Sequence, residues 1–478
     1  MNKKQFIDLS DRNRITLDHR EWLIFVTGSP CDSSTDGIKM HIQDTFMGNM
    51  QGLGLRMLTQ FASSDLSDRL KIRKPIEGLL YQGSKTGFQI ATKAARIFTP
   101  AKSSGTATRL PSQKSNHLFD LTLSDEQQMT RDSLSRFAKE LIRPAAHSAD
   151  EAHAISAELQ AQAGELGLMY YAIPEALGGA ATEDNLVTQM LALEDLGYGD
   201  FSLAAAIYAP ISVANVLTRF GTNAQQQQYL PAFIDEHKAA VASLACNEPV
   251  AVFDPYKLKT TATLDGDHYQ LNGEKSLVLL AADSEFFIVS AQLDGQPALF
   301  IVESGLTGLT FSEEPAMGLK AGKTARLHFK NVRTPKANLL TEAQYREFLD
   351  LGALASCAVA VGTAQAVLDY VTVYANDREA FGEPISHRQG VAFMIADMAI
   401  EVDSMRLLTW SACSLAEAGK PFHREAHLAR ILCAEKAMKI GTDGVQILGG
   451  HGFTKEHPVE RWYRDLRSVA ITQNAISL

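Results

Sequence analysis

The sequence predicts an α+β protein in which a helical domain, a β-domain and a helical bundle follow one another, and three observations carry that prediction. Apolar residues recur at helical spacing from 123 to 235. Short β-rich runs separated by turn dipeptides fill 239 to 340, and long alanine-rich helical periods return after 342. The domains are therefore drawn at 118–238, 239–341 and 342–478, with residues 1–117 standing apart as a basic extension that ends in a linker.

In the first helical domain Ser124 is placed as a helix cap with Gln127 at the third helical position, and Met129, Leu134, Phe137 and Leu141 follow at helical spacing. Further helical patterns cover 155–166, 185–196, 203–219 and 224–235, with Pro174 and Gly178-Gly179 marking a turn. Strands are expected at 268–271, 286–291, 298–302 and 326–329, separated by Asp-Gly, Asn-Gly and Thr-Gly turns. The last domain reads as three long helices, 349–376, 389–417 and 423–448, with Gly419-Lys-Pro421 as a break. Long, weakly charged helices of this kind pack in a bundle, here expected to have four helices.

Composition narrows the class. Apolar residues are 45% and charged residues 21% of the 478, ordinary for a globular protein. No run approaches the roughly 18 apolar residues of a membrane-spanning helix. The start has no signal-peptide pattern, and five scattered cysteines (Cys31, Cys246, Cys357, Cys413, Cys433) show neither metal-ligand spacing nor a disulfide framework. A reducing cytoplasm is expected, with free thiols and no metal site.

The net charge of −10 hides two unlike parts: residues 1–117 hold 17 Lys/Arg against 10 Asp/Glu, and the remainder 28 against 45. Within 69–98, Arg69, Lys71, Arg73, Lys74, Lys85, Lys93 and Arg96 interleave with apolar residues. That stretch reads as a basic amphipathic helix, either packed on its own protein with a solvated face or touching a membrane surface or partner. Nucleic acid is not expected, because no nucleic-acid motif accompanies the charge.

Several short motifs occur together: Gly199-Asp200 after Glu194-Asp-Leu, Asn272-Gly-Glu-Lys275, Met317-Gly318 with Thr324 and Val332-Arg333-x-Pro335, Arg378-x-x-Phe381-Gly382 with Gln389, and Gln446-x-x-Gly449-Gly450 before Trp462-Tyr-Arg-Asp465. Through them the chain, from about Phe119 to Leu478, resembles the acyl-CoA dehydrogenase family. The resemblance implies FAD as cofactor and acyl-CoA as substrate. It also implies α,β-dehydrogenation in fatty-acid metabolism, including β-oxidation, and an oligomer with flavin sites between subunits. It further implies that Arg378, Phe381, Gln389, Gln446, Gly449 and Gly450 reach the FAD of a neighbouring subunit. The chemistry suits such a role, since a guanidinium offers fixed donors to a pyrophosphate and glycines let backbone approach a dinucleotide.

The resemblance also marks departures. The family's usual base is a glutamate eight residues after the Arg-Asp aspartate, and that place is Gln473. A carboxamide has nearly the shape of a carboxylate without its basicity. An N–H at 473 still exists to meet a thioester carbonyl, because that donor does not depend on the side chain.

Some relatives keep a base at the start of the bundle's first helix, and there this chain has Gly352. Glu347 and Asp350 lie five and two residues before it, on the far side of a helix turning about 100° per residue. His451 and His457 read as solvated or capping loop residues. The family's Thr/Ser before Glu248-Pro249 is Asn247, and its glycine-rich run is Val250-Ala-Val-Phe253-Asp254. Its Trp-Ile-Thr is Leu277-Val278-Leu279, which offers no side-chain hydrogen bond.

The losses fall on the half-site a subunit keeps for itself, while the half-site it lends is retained. Two expectations follow: an FAD-dependent oxidoreductase with an altered base, or a non-catalytic subunit that completes the FAD site of an intact paralogue in a hetero-oligomer.

Overall fold

Helix α1 (Asp125–Phe137) begins at a complete capping box, with Ser124 Oγ accepting from Gln127 N at 3.1 Å and Gln127 Oε1 accepting from Ser124 N at 3.0 Å. The computed structural model describes residues 122–181, 185–235, 238–250, 253–341, 343–472 and 474–478, all within one unit spanning Ser115–Leu478. The extension, its 69–98 segment and Gln473 lie outside the described residues.

After α1 a π-helical stretch, Ala138–Ile142, leads into α2 (Arg143–Ala152). Then come α3 (Ala157–Glu165), α4 (Leu186–Gly199), α5 (Phe201–Phe220) and α6 (Asn223–Tyr229). The β-domain holds β1 (Ala242–Ala245), β2 (Thr261–Asp265), β3 (His268–Val278), β4 (Phe286–Leu293), β5 (Gln296–Glu303), β6 (Leu309–Glu313) and β7 (Ala325–Pro335). The bundle contributes α7 (Tyr345–Asp377), α8 (Gln389–Glu417) and α9 (His423–Leu448), with short α10 (Val459–Leu466) and α11 (Ser468–Ile471) closing it.

The sheet runs β1-β4-β2-β3-β7-β6, with β5 on the other edge of β4. β1 and β2 share one edge of β4 in parallel, β1 along Phe286–Val289 and β2 at Gln292–Leu293; the other pairings are antiparallel. Asp294-Gly295 closes the β4–β5 hairpin with both residues at positive φ, 49° and 82°, as a two-residue turn of matching twist requires. Asn272-Gly273 is not the turn the sequence suggested. It lies inside β3 at a register shift, where a Cβ on Gly273 would come 2.6 Å from Thr260 Cα.

A second expectation also changes. α5 and α7 are each long and apolar enough to cross a membrane, but 83% and 89% of their most apolar windows are buried inside the fold. They are core helices, apolar on all sides because they are covered on all sides.

α4 docks against α7 almost backbone to backbone. A Cβ on Gly362 would sit 1.9 Å from Glu194 O, one on Gly197 would sit 2.5 Å from Val359 O, and Thr363 Oγ1 donates to Gly197 O at 2.7 Å. A second joint ties all three domains at α10. Arg461 Nε donates to Asp200 at 2.8 Å, Arg464 grips Asp150 with both terminal nitrogens, and Asp465 Oδ1 accepts from Leu319 N at 2.7 Å. The Trp462-Tyr-Arg-Asp465 signature therefore works as a structural node.

Candidate functional site

α7 measures the distance between two candidate half-sites. Gly352 lies near its start and Arg378 caps its end; 26 residues of helix separate them, about 39 Å at 1.5 Å per residue. No extended dinucleotide spans that distance, so Arg378 cannot serve a reaction beside Gly352 of its own subunit.

At the Arg378 end the six residues expected to meet a neighbour's cofactor converge. Arg378 N–H donates to Tyr374 O, and Tyr374 OH reaches Leu448 O at 3.4 Å, which brings in the turn after α9. Ile385 N donates to Arg378 O, linking a small hairpin of β8 (Glu379–Ala380) and β9 (Glu383–Pro384) to the start of α8 at Gln389. Arg378, Phe381, Gln389, Gln446, Gly449 and Gly450 are all exposed.

Phe381 is 97% exposed and held at φ 57°, a left-handed conformation unfavourable for a bulky side chain. The Arg378 guanidinium has no ion pair among the described residues, and a Cβ on Gly449 or Gly450 would meet nothing within 4 Å. A free planar cation beside open glycine backbone fits the pyrophosphate of a dinucleotide. Nearby, Phe393, Ile400 and Leu407 form a seven-residue repeat of exposed apolar side chains along α8, joined by Ile431 of α9.

At the Gly352 end, residues 474–478 are buried between α5 and α7. Ser477 N donates to Ser212 Oγ at 2.9 Å, and Asn215 Nδ2 donates to Ser477 O at 3.3 Å. Asn474 lies flat over Gly352: a Cβ there would be 2.3 Å from its Cγ and Nδ2. Asn474, the next residue in sequence after one position where relatives place a base, thus packs on Gly352, the other such position.

Comparison with known proteins agrees with the three-domain order. Three family models match in order: the acyl-CoA dehydrogenase N-terminal domain over 124–237, the middle domain over 243–332 and the C-terminal domain over 343–473. The mitochondrial short-chain specific acyl-CoA dehydrogenase of Bos taurus is 35% identical over 361 residues, covering 73% of this chain and 87% of that one.

The chain belongs to the acyl-CoA dehydrogenase family.

Among solved structures, butyryl-CoA dehydrogenase from Megasphaera elsdenii matches with TM-score 0.67 and 30% identity, over 74% of this chain and 95% of that one. A chain from a structure of the electron transferring flavoprotein of Acidaminococcus fermentans matches with TM-score 0.68 and 33% identity, over the same shares. The family is FAD-dependent, and relatives named for acyl-CoA substrates share this chain's three-domain order.

The wall around Leu277–Leu279, which the sequence resemblance assigns to a subunit's own half-site, is apolar and already hydrogen-bonded. Leu279 is buried against Gly322, where a Cβ would come 2.6 Å from it. Leu277 sits at φ 54° with its N–H donating to Glu314 at 2.6 Å, while Glu314 also accepts from Ser276 Oγ and Arg326. Burial works to raise the Glu314 pKa, but these donors outweigh it and hold the carboxyl below its usual value.

Asn247 and Glu248 are buried, and Glu248 pairs with the fully buried Lys275 at 3.0 Å. Lys275 Nζ also meets Ser290 Oγ and Cys246 O, so each of its three protons has an acceptor. Beyond them, Tyr345 OH donates to Pro255 O at 2.9 Å and its ring meets Tyr256, pinning the loop after Phe253 to the start of α7.

The neighbouring carboxylates are engaged elsewhere. Glu347 accepts from Arg219 Nε at 2.6 Å, and Asp350 meets His423 Nδ1 at 2.8 and 2.9 Å. Burial raises the Asp350 pKa, with His423 opposing. Of the two roles expected for His451 and His457, solvated or capping, the solvated one does not hold. Both are half-buried, with Nδ1 atoms against Tyr374 OH at 3.0 Å and Tyr370 OH at 2.7 Å. Asn474 went unread in the sequence, and the signal for it was Gly352, a glycine inside a buried helix that needs something packed against it.

Proposed function

We propose that this chain is an FAD-type subunit of the acyl-CoA dehydrogenase class, an oxidoreductase acting on acyl-CoA thioesters in cytoplasmic fatty-acid or related acyl-CoA metabolism, including β-oxidation. The observation that carries the reading is the division along α7: an exposed cofactor-lending surface at Arg378 and a buried end at Gly352, about 39 Å apart. Each flavin then lies between subunits, and the apolar stripe Phe393, Ile400 and Leu407 supplies the contact between them. Bound flavin supplies the hydride acceptor. Arg378 would hold its pyrophosphate, and Gly449, Gly450, Phe381 and Gln446 are the other residues of this surface that would hold it.

The step that lacks a partner is removal of the α-proton, because Gln473 offers an amide and the described carboxylates near Gly352 are paired. That favours a second reading, in which the chain lends its exposed half-site to an intact paralogue. The basic segment 69–98 adds a membrane-surface contact in either case; deleting residues 1–98 without changing membrane partition removes that part.

The test is the absorption spectrum of the pure protein with and without Gln473→Glu, followed by addition of acyl-CoA. Flavin that bleaches only in the variant supports an enzyme with an altered base. Flavin that bleaches equally with and without the substitution, with a paralogue co-purifying, supports the second reading, and absence of flavin from every preparation overturns both.

A further inference from the structure

The side-chain amide of Asn474 is only half satisfied. Its Nδ2 donates to Phe348 O at 2.6 Å, which fixes the orientation of the amide because a carbonyl can only accept. Its Oδ1 then has no partner, although the residue is 1% exposed.

Donors on the surrounding walls are already committed. Ser212 Oγ donates to Tyr208 O, Asn215 Nδ2 to Gln189 and Ser477 O, Ser356 Oγ to Gly352 O, and Thr472 Oγ1 to Ser468 O. A buried acceptor left unpaired is costly, and native proteins seldom keep one without a use. The backbone adds to the cost, since Asn474 sits at φ 46°, where glycine is easier. This oxygen lies one residue from position 473 and against Gly352, the two places where relatives hold the base that works on the acyl α-carbon.

We propose that Asn474 is a specificity residue whose Oδ1 accepts a hydrogen bond from a hydroxyl or amine carried by the acyl group, so that the chain takes polar acyl thioesters in preference to plain saturated ones. The inference rests on the acyl-CoA reading above. A site with a committed acceptor discriminates strongly against an analogue lacking the donor, because the analogue buries the acceptor unpaired, whereas one methylene more or less changes binding much less. Gly352 is part of the device, since any side chain there would displace the amide.

The experiment is calorimetric titration of the purified full chain with butyryl-CoA, 3-hydroxybutyryl-CoA and β-alanyl-CoA, repeated on Asn474→Gly, a change that suits the left-handed backbone. At least one donor-bearing thioester is expected to bind about tenfold tighter than butyryl-CoA. The two donor-bearing arms separate hydroxyl from amine recognition, and Asn474→Gly is expected to erase the difference. Butyryl-CoA binding as tightly as both, or a preference surviving in Asn474→Gly, overturns the proposal. The panel on the unaltered chain decides the matter even where the variant does not fold. Failure of all three thioesters to bind withdraws the acyl-CoA reading and this inference with it, whereas equal binding of all three removes this inference alone.

Discussion

Replacing Gly362 by alanine tests whether the first helical domain is locked to the bundle by backbone contact. The added Cβ would lie 1.9 Å from Glu194 O, 2.8 Å from Tyr198 N and 2.9 Å from Glu194 C, all backbone atoms that no rotamer change can move. Comfortable contact needs about 3.5 Å, so α4 must shift by roughly 1.5 Å along its whole docked length. Overpacking of this kind costs about 1–3 kcal/mol, and a backbone obstacle puts the cost at the upper end. Alanine returns about 1 kcal/mol through helix propensity, leaving a net loss of about 2 kcal/mol.

The assay is urea unfolding, with Gly164→Ala as control because a Cβ there meets nothing within 4 Å. Gly362→Ala should unfold at lower urea, while Gly164→Ala should be unchanged or slightly stabilised. Equal midpoints for Gly362→Ala and the unaltered chain would refute the close-contact argument. Because α7 carries Gly352 at one end and Arg378 at the other, the same variant should also disturb both half-sites.

Lys275→Met strands the Glu248 carboxylate in a buried site and should cost about 3–5 kcal/mol by urea unfolding; Glu248→Gln, which keeps an acceptor for Lys275, should cost less. Burial pushes the Asp465 carboxyl up to about 8, with Asp200 adding to the rise and the Leu319 N–H opposing it. The folded chain therefore holds a proton there that the unfolded chain has released, so stability falls as pH rises from about 4 to 8, by on the order of 1 kcal/mol per unit. Asp465→Asn, which still accepts from Leu319 N–H, should flatten that dependence in urea midpoints measured at pH 5 and pH 8. Arg378→Ala should weaken flavin retention about tenfold or more without moving the urea midpoint, read from the flavin absorbance left after gel filtration.

What the sequence disclosed tracks how much of each element is decided locally. Gln389–Glu417 and His423–Leu448 are legible to the residue because each begins and ends beside turn-forming residues and keeps one period throughout. Ser124 with Gln127 is legible for the same reason, since a capping box is a four-residue matter. β1, β2 and β6 are not. Ala242–Ala245 is four residues buried on both faces, without alternation, while Thr261–Asp265 and Leu309–Glu313 are mostly exposed and become strands only through their neighbours. The candidate site divides likewise: Arg378, Gln389 and Gln446 to Gly450 sit in contiguous motifs, whereas Asn474 over Gly352 joins positions 122 residues apart that only the fold brings together.

The two halves of the candidate site also bear on who the neighbouring subunit is. In a homo-oligomer every flavin would take the Arg378 surface from one copy and the Leu277–Leu279 wall from another, so the altered wall would enter every site. An exposed phenylalanine held at φ 57° and a guanidinium without an ion pair among the described residues would then serve only sites compromised on their other side. Paired with an intact paralogue, the same surface completes a site whose remaining wall and base come from the partner, and the changes at 277, 279 and 473 cost that site nothing. The alternatives differ in stoichiometry, which absorbance and protein concentration measure directly. A working homo-oligomer binds one flavin per chain, whereas a hetero-oligomer with one site completed per pair binds one flavin for two chains. A preparation containing only this chain with a full complement of flavin would rule out the lending arrangement.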